Sequence, residues 1–226
     1  RHTDRRLFGG GAIDAPVLKA CLHEAGEGVE VHATAPAALT RWLNAADAAM
    51  WRAPKVAQDA LDWVRFDEQE LRRRGDGVSW RNLGLPPALA AGVAVSRRLP
   101  WTLSAGAVFG GPVLTAALLR QQLRSSAAIV TVGVHDASPE QLVTAGRVAW
   151  RVWARLNLGG WGAQPMSMGP ILSMACRDQT LPASIPATVG SDMLALVPSL
   201  RETLGVKQTW FPTFMLRTGR MTPLDA

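Results

Sequence analysis

The chain has 226 residues, 48% hydrophobic and 19% charged, a balance that fits one compact domain with a sizeable core and excludes a disordered or fibrous chain. Lys and Arg number 24 against 18 Asp and Glu, and the net charge of +6 is carried mostly by Arg. That suits either an anionic partner or a solvated basic surface.

The N-terminus runs Arg1-His2-Thr3-Asp4-Arg5-Arg6 with no apolar stretch behind it, so no secretory signal is expected. The start without Met suggests a fragment or a processed chain. Cys21 and Cys176 lie far apart in no metal-spaced cluster, which argues against a disulfide scaffold or a zinc site and for a reduced, cytoplasmic chain.

Residues 13–25 have helical spacing, with Val17, Leu18, Cys21 and Leu22 on one face, Asp14 as N-cap before Pro16, and Gly26 and Gly28 as the stop. Val29, Val31 and Ala33 alternate with Glu30 and His32, the pattern of a half-buried strand. Residues 36–50 return to a helical period through Leu39, Trp42 and Leu43, closed by Pro54. Residues 59–74 read as one charge-rich amphipathic helix ending at Gly75-Asp76-Gly77, with loop from there to Pro87.

Residues 99–119 carry no charge and are bracketed by Arg97, Arg98 and Arg120, which meets the length rule for a membrane span. Pro100, Gly106, Gly110, Gly111 and Pro112 interrupt them, so two short buried pieces joined by a Gly-Gly-Pro turn fit better than a lipid-facing helix. Residues 88–121 are read as a lid or interface insertion within a single domain spanning residues 1–226.

Residues 127–134 form an apolar run expected to be a core strand, and Ser138-Pro139-Glu140-Gln141 then gives an N-cap, Pro at N1 and a capping-box Gln. Leu142, Ala145, Ala149, Val152 and Leu156 make one apolar face down to Gly159-Gly160, with Arg147, Arg151 and Arg155 elsewhere on the cylinder as a solvated or interface stripe. Residues 194–204 suggest a short helix and residues 211–218 a final alternating strand. Helices and strands mix without regular βαβ units, which points to an α+β fold.

No catalytic triad, metal cluster, P-loop or GxGxxG occurs, so neither a catalytic side chain nor a metal ligand is assigned. His23 and His32 read as structural, and His135 as a loop residue after a strand. Nucleic acid is not expected as a partner, because no Lys/Arg tract is interleaved with aromatics and the nine Trp fall at core-like spacings. No membrane partner is expected either.

Three separated segments become informative together: Arg1-His2-Thr3-Asp4-Arg5, residues 159–167 (Gly-Gly-Trp-Gly-Ala-Gln-Pro-Met-Ser), and Phe214-Met215-Leu216-Arg217-Thr218-Gly219-Arg220. On these the chain resembles the FMN-dependent nitroreductases, which open with an Arg-x-Ser/Thr-x-Arg/Lys motif, run a long core helix into a Gly-x-x-x-x-Pro loop, and end on an Arg-bearing strand. The resemblance implies a nitroreductase-like α+β fold, with a mixed or antiparallel central sheet flanked by helices and a dimeric or pseudo-dimeric interface. It implies an FMN site in which Arg1, His2, Thr3, Arg5, Arg217 and Arg220 surround the phosphate and ribityl chain. Gln164, Pro165, Met166 and Ser167 would pass the flavin ring. Read singly, each Arg is as readily a surface ion pair and Met166 ordinary core filling.

One departure matters. The family's Pro-Ser-x-x-Asn-x-Gln-Pro-Trp-like stretch has no counterpart, since Glu24 passes through Gly26-Glu27-Gly28 straight to Val29. Trp63-Val64-Arg65-Phe66, Asp76-Gly77 and Leu83-Gly84-Leu85-Pro86 look like the second half of Acg-like two-repeat nitroreductases, or the nitroreductase part of ThiF-fused proteins. Such a half leans on another half or a second copy. The implied reaction is hydride transfer from NAD(P)H through FMN to an organic acceptor; the alternative is a non-catalytic, flavin-sequestering partner half.

Overall fold

The computed structural model describes residue 3, residues 5–83 and residues 87–221, with Met50 described for its backbone only. The first elements follow the sequence closely. Helix α1 spans Ala15–Leu22 with Asp14 at the N-cap position, although the Asp14 side chain makes no cap bond. Strand β1, Val29–Thr34, buries Val29 and Val31 and leaves the intervening residues half-covered. A single 3-10 turn, Pro36–Leu39, leads into α2, Thr40–Arg52.

Helix α2 ends before Pro54 as expected, and Pro54 also opens the next helix: α3 spans Pro54–Asp62 with the proline at its first turn, where the missing N–H costs nothing. The next expectation fails. The single helix expected over residues 59–74 is split. A short strand β2, Val64–Arg65, intervenes before α4, Glu68–Arg74, which Asp67 caps through Gln69 N–H and Gly75 ends at φ 65°. The loop expected afterwards contains β3, Val78–Ser79, parallel to β2, and a 3-10 turn over Trp80–Leu83. Arg65 explains the break. Its side chain is buried, its Nη2 donates to Asp76 at 2.7 Å, and Gly77 lies so close to the Trp63 carbonyl that a Cβ would sit 2.5 Å from it. This clasp outweighs the helical periodicity that runs through it.

The uncharged stretch forms helices as far as the Gly-Gly-Pro bend. Helices α5 (Pro87–Arg98), α6 (Trp101–Val108) and α7 (Gly111–Arg124) follow, with Gly110 at φ 94° and α6 and α7 bent by 78°. The expectation that these pieces are buried does not hold on their outer side: Val108, Phe109 and Val113 are 79%, 86% and 70% exposed. Only one face of the α6–α7 hairpin finds neighbours, on α2, α3, α5 and the 3-10 turn at Pro36–Leu39, and of its residues Leu119 and Leu123 alone reach the core. Among the described residues no single helix is long and apolar enough to cross a membrane.

The rest is built on β4 (Ala128–Val134), α8 (Pro139–Leu158), β5 (Trp161–Pro165), α9 (Met168–Arg177), α10 (Ala187–Ala195), α11 (Val197–Leu204) and β6 (Phe211–Arg220). Ser138 caps α8 by accepting from Gln141 N–H at 3.4 Å. The four long strands form one sheet in the order β1-β4-β6-β5, with every neighbouring pair antiparallel. The fold is thus α+β, a central antiparallel sheet with helices on both faces. Leu43, Leu172, Met193, Trp210 and Met215 pack on one face with α2, α9, α10 and α11. Val130, Val132, Val148, Val152 and Leu216 pack on the other beneath α8. Covering both faces is why β4 is buried at every position, Thr131 included, and why β6 buries consecutive residues instead of alternating.

Candidate functional site

Strands β5 and β6 end at a corner of the sheet where the N-terminal segment returns. Residues 161–165 were expected as loop, yet they pair fully with β6, Gln164 opposite Arg217 and Pro165 opposite Leu216. Thr3 joins the edge of β5 through a parallel bridge to Ala163. Phe8 N–H donates to Ser125 Oγ at 3.2 Å and Gly9 N–H to the Arg220 carbonyl at 2.9 Å, which ties the segment to both α7 and β6.

Arg217 organises the corner. It is wholly buried. Its Nε donates to Gln164 Oε1, its Nη1 to Ser126 Oγ at 3.3 Å and its Nη2 to the Arg6 carbonyl at 2.7 Å, while its guanidinium lies 4.3 Å from the centre of the Phe8 ring. A buried guanidinium is tolerable only when its donors are matched, and here every nitrogen has an acceptor. The side chain therefore works as a strut joining β5, α7 and the N-terminal segment.

Arg5 is half-buried and donates from Nη1 to the Asn82 carbonyl at 3.3 Å; burial pulls its pKa below the ordinary Arg value. Arg220 points out at the far end of β6, paired with Asp14 at 2.9 Å and 4.9 Å above the Trp161 ring. On the other side of the corner, Met166 N–H donates to the Met215 carbonyl at 2.8 Å and its side chain packs on the core. Ser167 takes the N-cap position of α9, its hydroxyl making no cap bond. Arg1 and His2 lie outside the described residues.

The structure thus sets Thr3 against Ala163, joins Gln164 to Arg217 one residue on, and carries Pro165, Met166 and Ser167 from there into the start of α9. It sets Arg5 beside Asn82 and turns Arg220 toward Asp14. Phe8, Asn82, Ser126 and Gln122, whose carbonyl lies 3.5 Å from Arg217 Nη1, were not foreseen as part of this corner, and nothing local in the sequence singles them out. Among the described residues no three of His, Cys, Asp and Glu gather as a metal site would require.

No family model matches the sequence, and no curated relative matches it. Solved structures with a similar arrangement include an FMN-dependent nitroreductase from Clostridium difficile R20291 (9% identity, 100% of this chain and 86% of that one, TM-score 0.46). They also include a nitroreductase with bound FMN from Bacteroides fragilis NCTC 9343 (13%, 100% and 88%, TM-score 0.47). A third is an FMN- and NADPH-dependent nitroreductase from a Sphigopyxis strain, HMH (13%, 97% and 84%, TM-score 0.45). Scores this low describe a loose likeness of architecture and leave the chemistry to be read from the residues of this chain.

Proposed function

We propose that the β5–β6 corner holds FMN and that the chain is one half of a flavoprotein oxidoreductase of nitroreductase type. The observation that supports this reading is the convergence of three segments far apart in sequence: Thr3 bridges to Ala163, and Arg217 joins Gln164 to the Arg6 carbonyl. These are the segments on which the sequence resembles that family.

The donor chemistry of the corner fits a phosphate in part. Arg5 keeps guanidinium nitrogens beyond the one on Asn82, Thr3 offers a hydroxyl, and a phosphate dianion is best held by such charge-assisted donors. Arg217 has no exposed atom to offer, so its role is to position the N-terminal segment and Gln164 rather than to touch the ligand. Met166 and Ser167, entering α9, would lie against the ring, with the positive end of the helix dipole beside them. Bound FMN would supply hydride transfer from NAD(P)H to an organic acceptor, and no side chain of this chain need act as acid or base.

The missing amide loop and the exposed outer face of α6 and α7 support the need for a second copy or homologous half to complete the site. Residues 88–121 would then serve as lid or interface. A second reading, a half that stores flavin without turnover, is favoured by the burial of Arg217, which leaves fewer cations free for the cofactor. The test is a titration of FMN fluorescence with the full chain and with Arg5→Ala and Thr3→Val. Saturable quenching that weakens about ten- to a hundredfold in Arg5→Ala, the worth of one charge-assisted hydrogen bond, supports the site. Equal quenching by all three proteins removes it.

A further inference from the structure

An apolar hollow lies away from the β5–β6 corner and shares no residue with it. It is enclosed by α2, α3, α5, α6 and α7 and has a volume of about 390 Å³, within the range of small-molecule sites, which run from about 300 to 1,000 Å³. Trp51, Pro54, Ala57, Leu89, Leu103 and Leu118 are among the apolar residues of its wall.

One side chain does not belong in such a place. Among the described residues Asp47 is the only charged group lining the hollow; it is half-buried and forms no ion pair, and the nearby Thr115 hydroxyl donates to the Pro112 carbonyl at 3.3 Å. Burial raises the Asp47 pKa and Thr115 opposes this. The other polar groups of the wall are satisfied internally: Thr102 Oγ1 donates to Leu99 and lies 2.9 Å from Ser96 Oγ, and Thr115 accepts from Trp51 Nε1 at 3.0 Å. Asp47 and Trp51 are one turn apart on α2, so the carboxyl and the indole face the same space. The Cη2–Cζ3 edge of the indole abuts the α6–α7 bend, where a Cβ at Gly111 would lie 2.4 Å from it. A half-buried carboxylate without a cation on an apolar wall gains from a ligand that brings one.

We propose that this hollow binds a small amphipathic ammonium compound, its apolar body against Trp51 and Leu103 and its amine on the Asp47 carboxylate. An ammonium carries three donors, enough to use the acceptor capacity of the Asp47 carboxylate. The Trp51 face adds favourable contact with an aromatic or cationic group.

Isothermal titration calorimetry on the full chain tests this with tryptamine, tryptophol and indole-3-propionate, which share one apolar body and differ in charge. Tryptamine is expected to bind at least about tenfold more tightly than tryptophol, the worth of one charged hydrogen bond, and indole-3-propionate not at all. In Asp47→Asn, which keeps the shape, the preference for tryptamine should vanish while tryptophol affinity stays. Gly92→Leu, on the wall with open space at its Cβ, should fill the hollow and abolish binding of all three without disturbing the helix. Absence of tryptamine binding, equal affinity for tryptamine and tryptophol, or binding indifferent to either substitution overturns the proposal.

Discussion

Arg217 shows how residue type and residue role part company. The sequence places an Arg on a terminal strand, and a solvated Arg would be free to meet a phosphate. The fold buries it and matches its nitrogens to Gln164, Ser126 and the Arg6 carbonyl. Arg217→Lys is therefore expected to unfold more easily by about 3 kcal/mol, because one ammonium cannot reach three acceptors in different directions; urea titration reads the loss, and an unchanged midpoint would count against the strut. Cys21 gives a second test at this scale. Burial, reinforced by the Glu24 charge and offset by Arg155, pushes its thiol up to about 11. Alkylation of native protein at mild alkaline pH should modify the half-exposed Cys176 and spare Cys21.

Among the elements, those specified by local chemistry were legible. The Ser138 cap with Pro139, the alternation of Val29 and Val31, and the apolar run of β4 each carry their signal within a few residues. What was not legible depended on distant partners. The break between α3 and α4 is imposed by the Arg65–Asp76 contact, and β5 is a strand only because β6 lies beside it. The bend between α6 and α7 combines both kinds of cause, since Gly110 sets the turn and Gly111 admits the Trp51 ring. Gly111→Ala should cost about 1–3 kcal/mol through this overlap, read as a lowered thermal midpoint. The Arg stripe of α8 is pinned in part: Arg151 and Arg155 both donate to Glu24, which follows α1. The hydrogen bond from Arg155 is the leading cause that lowers the Glu24 pKa, with Arg151 adding to it against burial. A depressed carboxyl pKa stabilises the fold above the unfolded value of about 4.3 and ceases to do so as pH falls through the folded value. The stability difference between the parent chain and Glu24→Gln should accordingly be full near neutrality and shrink below about pH 4. A difference independent of pH would show that the pair does not link α1 to α8.

At the scale of the whole molecule, the candidate site is an assembly of chain ends. Thr3 on β5, Arg6 on Arg217 and Gly9 on β6 close the N-terminal segment over the last strand, and those long-range contacts could be anticipated only through family resemblance, never through periodicity. The same scale explains why the outer face of α6 and α7 reads ambiguously in sequence: its composition is that of a buried helix, whereas within one chain Val108, Phe109 and Val113 meet solvent. On the pairing proposed above, this surface is where a second copy docks, and sedimentation should find a dimer that Phe109→Asp shifts toward monomer. The central claim, a flavin held at the β5–β6 corner and reduced there, is tested most directly by anaerobic absorbance spectroscopy of the chain reconstituted with FMN, alone and with a homologous half. The account predicts protein-bound flavin bands that bleach on addition of NADH or NADPH. Bands that persist would favour storage over turnover, and the absence of bound flavin under every pairing would contradict the flavin site itself.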